Sequence, residues 1–468
     1  MTWLKKSFYV LTMIAIATMV SGCSKKSVTT TTSNEIVIWS FEDEDYWKEL
    51  FDRINKGEVP ELSGYKFKYV KKVLNNSYEN NSLNSILSGK GPDVWAIPSD
   101  WVMRHKDKLS KSPHLTSTSL NAMSPIVKEL NIDSEAVYGQ TATVDPYIIF
   151  YNPSLVDEFV NEYAANNFQP KKERHETTED YSNREDVKKY MEEITFRSTI
   201  PNNWEDLLLW AEKYTKRDNN NISKSAIALG TTSNVTYSAE IMYNMMMQNS
   251  VSMTNDERNL ATFNLPVTNA SGQQVFPGKY AFELFSRFSD PSSTSYTWNE
   301  NMPRDYDAFI DGKVAMVIMP NSTEKRIFND KPTFKFKKAL LPSIKNVEES
   351  QIYYGRSISF VVPKISSNPY AAWVTAQMSY SNIYGDISAV VPSDEKIGEY
   401  QASEKLSEYI PIIATKYTHS WVKGRYPDEI NNIFKNSYEN FRSKKQDSQG
   451  ALDSAATKVT ELLKKEDW

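Results

Sequence analysis

Four acids stand together in the run Phe41-Glu42-Asp43-Glu44-Asp45. Two carboxylates can act as general acid and base on a glycosidic bond when their separation in space suits it. Spacing along one chain gives no such separation. Acids also favour the first turn of a helix, so a solvated loop entering a helix over Asp45–Asn55 is the alternative reading. The four histidines, His105, His114, His175 and His419, are scattered. No H-E-x-x-H or Cys/His spacing is present, which argues against a metal site. There is no G-x-S-x-G elbow. Gly89-Lys90-Gly91 lacks the phosphate-loop pattern G-x-x-x-x-G-K-[ST]. No catalytic set emerges, and neither cofactor nor metal is expected.

The single cysteine, Cys23, has a different chemistry in prospect. It follows Lys5 and Lys6, an apolar run from Phe8 to Val20, and Ser21-Gly22. This is the pattern of a secretory signal, and the run is short for a membrane span, which needs about 20 apolar residues. Val-Ser-Gly-Cys resembles a lipobox, so residues 1–22 are expected to be a signal peptide, with Cys23 lipidated. Everything after Cys23 then lies on the outer face of the cell membrane. Residues 23–34, which include Ser27-Val28-Thr29-Thr30-Thr31-Thr32, read as a flexible tether.

With 468 residues, 40% hydrophobic and 24% charged, the chain is expected to build a soluble globular protein of two or more lobes. The net charge is −5, with lysine and arginine spread along the chain, so nucleic acid is not an expected partner. Ile36-Val37-Ile38-Trp39 reads as a buried strand, Tyr65–Leu74 as a second, and Val94–Ile97 as a third, entered through Gly91-Pro92-Asp93. A helix over Ser82–Leu87 precedes that turn, and Pro98–Trp101 is a loop. The β-α-β-α-β alternation predicts a parallel sheet with helices on both faces. Ligands of such sheets bind beyond the carboxyl ends of the strands, which directs attention to the loops after Trp39 and Ile97.

Tyr147–Tyr151 is a further strand. Residues 161–200 are charged and read as a surface insertion, helical near Asp186–Glu193. Trp204, Leu207, Leu208, Ala211 and Tyr214 line one helix face, with Asn203 as N-cap. A Met-rich helix crosses Met242–Met247, and Asp305–Ile318 holds a helix, a glycine turn and a strand. Strands follow at Phe336–Leu341 and Ser357–Val362, then helices at Pro369–Ser379 and Ala451–Lys464.

Several of these segments carry a family resemblance. Ser85–Val94 (SILSGKGPDV), Ile148–Leu155 (IIFYNPSL), Ile200–Leu208 (IPNNWEDLL), Ala308–Ile318 (AFIDGKVAMVI), Tyr354–Lys364 (YGRSISFVVPK) and Asn368–Trp373 (NPYAAW) occur in order. Together they resemble family 1 extracellular solute-binding proteins, the maltose-binding-protein-like group that serves ABC importers. The resemblance spans nearly all of the chain after Cys23 except residues 161–200.

It implies an α/β fold of two lobes, the type II periplasmic-binding-protein-like fold, with a ligand cleft between lobes joined by hinge crossings. Crossings are expected near Thr143–Pro146, Phe334–Ala339 and Asn382–Ser388. One lobe would comprise residues 35–143 and 336–384, the other 144–335 and 385–468. It implies a monomer that is not an enzyme, captures a sugar or oligosaccharide, and passes it to ABC permease subunits. Asp43, Asp100 and Asp145 match sugar-binding acids of the family. Gly355, Arg356 and Ser357 fall where its third segment lines the cleft. Trp39, Phe41, Trp95, Trp101, Tyr237, Trp298 and Tyr354 are rings on which sugar faces could stack, although core packing competes, above all for Trp39 and Trp95. Where maltose-binding relatives place a stacking tryptophan, this chain reads Met319-Pro320-Asn321-Ser322, which makes Asn321 a candidate and a maltose-type site doubtful. A surface glycan-binding adhesin without a transporter and a carbohydrate-active enzyme are the alternatives.

Overall fold

The computed structural model describes residues 34–121, 123–167, 170–218, 221–269, 271–383 and 391–465. The expected signal peptide, Cys23, most of the expected tether and most of the expected crossing at Asn382–Ser388 lie outside these residues.

The chain begins β1 (Glu35–Ser40), α1 (Glu44–Asn55), β2 (Lys66–Lys71), α2 (Tyr78–Leu87), β3 (Val94–Pro98) and α3 (Asp100–Arg104). It continues through α4 (Pro125–Asn131), β4 (Gln140–Tyr151), α5 (Pro153–Asn167), α6 (Thr178–Asn183), α7 (Glu185–Ser198), α8 (Trp204–Tyr214), β5 (Lys216–Asp218), β6 (Asn221–Ile227) and α9 (Ser238–Gln248). Then come α10 (Pro277–Ser286), α11 (Asp305–Ile310), β7 (Val314–Pro320), β8 (Lys337–Ala339), β9 (Tyr353–Val361), α12 (Pro369–Ile383), β10 (Thr418–His419), α13 (Pro427–Arg442) and α14 (Ser448–Lys464).

The main sheet runs β2-β1-β3-β9-β4-β7-β6-β5, with β8 on β4 and β10 on β9. β1 pairs in parallel with both β2 and β3, as the alternation of strands and helices predicts. Period-2 alternation explains how β3 serves two layers. Val94 and Ala96 face one core with Ile38, Trp47, Phe360 and Trp373, while Trp95 and Ile97 face another with Val102, Ile126 and Leu130. A larger core gathers Tyr147–Phe150, the wholly buried β7, and α8, α9, α13 and α14. The fold is thus α/β with two lobes.

β4 links them. Its first part pairs antiparallel with β9 through Thr141–Pro146, and its second part with β7 through Tyr147–Tyr151. β9 reaches β3 on its other edge. β8 pairs with Ile149–Tyr151, and Phe334 and Phe336 pack on the larger core.

Some elements differ from expectation. The 161–200 stretch is more ordered than its charge suggests: α5 continues to Asn167, α7 covers Glu185–Ser198 and packs on it, and Val187 is buried. Asp100 and Trp101 start α3 rather than sitting in a loop. Asn203 caps α8 by accepting from the Asp206 N–H, the role its residue type suggests. Every methionine of the Met242–Met246 stretch packs in the larger core.

Candidate functional site

Where β4 and β9 run between the lobes, a cavity of about 930 Å³ opens. Its walls come from the carboxyl end of β3 with α3, the middle of β4, the residues after β7, the first half of β9, and a late segment around Lys423 and Asn431. This is the position open α/β sheets give to ligands.

Asp145 and Arg356 are direct cross-strand partners of β4 and β9. Arg356 Nη2 donates to Asp145 Oδ2 at 2.8 Å and to Ser322 Oγ at 3.1 Å. The Ser322 N–H and hydroxyl donate to the two Asp145 oxygens, each at 2.8 Å. Partial desolvation alone would lower the pKa of the half-exposed Arg356, but Tyr147, Asp145 and Tyr237 raise it, so the guanidinium stays charged. Asn321 is fixed through its N–H on the Pro146 carbonyl. The Asn321 Oδ1, Tyr147 hydroxyl and Ser357 hydroxyl are buried without a hydrogen-bond partner. The Tyr147 ring meets Tyr237 edge-on at 5.2 Å and Tyr354 at 5.7 Å.

Lys423 is buried in the wall beside them. Its ammonium donates to the Tyr354 hydroxyl at 3.1 Å and to Asn431 Oδ1 at 3.4 Å, with the Tyr243 ring 5.4 Å away. Burial opposes its charge, but Tyr354, Asp100 and Glu240 outweigh that and raise its pKa. Asn431 Nδ2 in turn donates to Glu240 Oε1 at 3.0 Å.

On the opposite side, Arg104 Nη1 donates to both Glu79 oxygens, at 2.6 and 2.8 Å, and His105 Nε2 lies 2.7 Å from Oε1. Burial would raise the Glu79 pKa, yet His105 and Arg104 hold it below the ordinary range. Burial lowers that of His105. The Trp101 ring stacks on Tyr78 at 6.3 Å, and Asp100 is half-buried beside it.

Of the residues singled out from sequence, Asp100, Trp101, Asp145, Asn321, Tyr354, Gly355, Arg356 and Ser357 share this cavity. Gly355 is required for packing: a Cβ there would collide with Thr418 Cγ2. Tyr237 lies against Tyr147, with the Arg356 guanidinium 5.7 Å from its ring centre.

Others are corrected. Trp298 is fully buried in the larger core, its Nε1 donating to Asn234 Oδ1 at 3.0 Å, so no ligand face is exposed. Trp95 is fully buried too. Trp39 lies under Lys72, 3.6 Å from its ring centre, on a separate small cleft of about 210 Å³. Phe41 packs edge-on against Tyr78 at 5.2 Å. Asp43 is exposed and ion-paired with Lys71 outside the cavity. The walls add Glu79, Arg104, Tyr147, Glu240, Lys423 and Asn431, which sequence reading passed over. Only Lys423 left a trace, a lysine directly after the apolar pair Trp421-Val422.

A family model described as bacterial extracellular solute-binding protein matches residues 49–381. The chain belongs to that family. No curated protein sequence matches it. Solved structures with a similar fold include the cyclic α-maltosyl-1,6-maltose binding protein from Arthrobacter globiformis, at 14% identity and a TM-score of 0.65, covering 92% of this chain and 99% of that one. The sugar-binding protein MalE from Xanthomonas citri is 14% identical with a TM-score of 0.63, over 92% and 98% of the two chains. An extracellular solute-binding protein from Staphylococcus aureus in complex with maltose gives 14%, 0.62, 92% and 98%. At this identity the likeness is one of fold.

Proposed function

We propose that this chain captures a sugar or oligosaccharide in the cleft between its lobes and delivers it to the permease of an ABC importer. The observation that carries the reading is the 930 Å³ cavity, which the Trp101 ring shares with carboxylates and buried unpartnered polar atoms. Carboxylates accept strong hydrogen bonds from hydroxyls, and sugar C–H faces stack on rings. The sugars named for structures of the same fold support it. Asp100, Trp101, Asp145, Asn321 and Arg356 are the proposed ligand contacts, in a binding role without catalysis.

The ligand drives closure only by binding the closed arrangement better than the open one. We place one crossing at Thr143–Pro146 in β4 and the return within β9. A lipid on Cys23 tethers the monomer to the outer face of the cell membrane, and Cys23→Ser is expected to lower uptake without changing ligand affinity.

The test is a thermal-shift and calorimetric screen of the purified chain against neutral and acidic saccharides. A ligand at 100 times its Kd adds about 2.7 kcal/mol of stability. Absence of any shift across the panel overturns the saccharide reading.

A further inference from the structure

Lys423 is only 6% exposed, yet its ammonium has two neutral hydrogen-bond partners, Tyr354 and Asn431. Buried charges in proteins are normally paired, because removing an ion from water costs several kcal/mol. An ammonium has three donors, and these partners occupy two. Lys423 lines the cavity, so the open donor is available to what fills it.

Arg356 stands two residues beyond Tyr354 on β9, on the same strand face. It spends Nη2 alone on Asp145 and Ser322, and its Nε and Nη1 donate to no described residue. The Tyr147 hydroxyl, buried and unpartnered, belongs to the same wall. Each of the three side chains thus keeps a donor that no described residue accepts, and two of the three are cationic, Arg356 being already ion-paired with Asp145. Asp100 and Glu240 supply counter-charge to Lys423, but neither is hydrogen-bonded to it, and Glu240 accepts from Asn431 instead.

Resting on the saccharide reading above, we infer that the solute is an acidic saccharide, its oxyanion seated on Lys423 and Arg356. A neutral hydroxyl accepts a hydrogen bond from the ammonium but brings no charge to it, leaving Asp100 and Glu240, which are not hydrogen-bonded to Lys423, as its counter-charges. A carboxylate or sulfate supplies both acceptor and counter-charge, and the planar guanidinium suits it.

Calorimetry and thermal shift with digalacturonate, a sulfated disaccharide and maltotriose test this on wild type, Lys423→Gln and Lys423→Arg. The expected result is binding of digalacturonate or the sulfated disaccharide, weakened roughly tenfold or more in Lys423→Gln and largely kept in Lys423→Arg. Which of the two binds identifies the oxyanion. Should Lys423→Gln fail to fold, Arg356→Gln reads the same seat, with the same loss expected. Undiminished affinity for the acidic sugar in Lys423→Gln, or in Arg356→Gln where that variant stands in, overturns the inference. Binding of maltotriose with no response to either acidic sugar overturns it too, while leaving the saccharide-capture function intact. Silence from all three sugars overturns both.

Discussion

On the wall built from α2 and α3, Glu79 accepts from Arg104 and lies against His105, so its charge is answered within the protein. On the wall built from β4, β7 and β9, Tyr147 and Asn321 keep buried polar atoms without partners, and the nearby Lys423 is hydrogen-bonded only to neutral groups. The first arrangement stabilises the empty protein. The second costs stability until a ligand supplies the missing partners. Binding sites are expected to show this imbalance, because groups already satisfied by the protein gain little from a ligand.

The largest expected effect comes from breaking the Glu79 cluster, whose ion pairs are made although Arg104 Nε is buried without a partner. Glu79→Ala leaves Arg104 and His105, which are nearly buried, without their acceptor. A loss of about 2–3 kcal/mol in urea unfolding is expected. A loss below about 1 kcal/mol would mean the network contributes little to the fold. The same cluster sets a pH dependence. His105 has a folded pKa below its ordinary 6.5, so the unfolded chain takes up its proton first, and stability falls as pH drops below that value. Glu79, depressed below 4.5, adds its own loss further down as it protonates. Thermal melts from pH 7.5 to 4 are expected to decline in this order, and His105→Gln removes the upper part.

Tyr147→Phe probes the other wall and should move stability the opposite way. The hydroxyl is buried and unpaired, so removing it is expected to leave the empty protein unchanged or stabilise it by up to about 1 kcal/mol. Ligand affinity is expected to fall in the same variant. Destabilisation of the empty protein with unchanged affinity would place Tyr147 with Glu79 as a structural group.

Much of the fold is legible in short segments. Ala308–Ile318 writes helix, glycine turn and strand in eleven residues, and Gly312 takes the positive φ of 69° that such a turn needs. Ile36–Trp39 and Val94–Ile97 show their strands by composition. The site is less legible because its walls join residues far apart in the chain: Asp145 meets Arg356 across 211 positions, and Tyr354 meets Lys423 across 69. No spacing rule spans such intervals. Tryptophan identity is equally mute about direction. Trp101 and Trp298 both sit in polar stretches, yet one lines the cavity and the other is sealed in the core, because burial depends on the layer that packs over each.

Asp43 separates the family match from the geometry with the smallest expected effect. The resemblance assigns it to sugar, whereas its carboxylate is exposed and held by Lys71, outside the cavity. The Lys71 ion pair lowers its pKa, so it is charged at neutral pH in either role. Exposed ion pairs contribute little to stability, because water already solvates both ions and salt screens them. Asp43→Asn is therefore expected to change neither the melting temperature nor ligand affinity, whereas Asp145→Asn, at the centre of the β4–β9 pair, is expected to weaken binding roughly tenfold or more. If Asp43→Asn weakens binding as much as Asp145→Asn, the β1 loop must swing onto the ligand when the lobes close and join Asp100 and Trp101 in the seat.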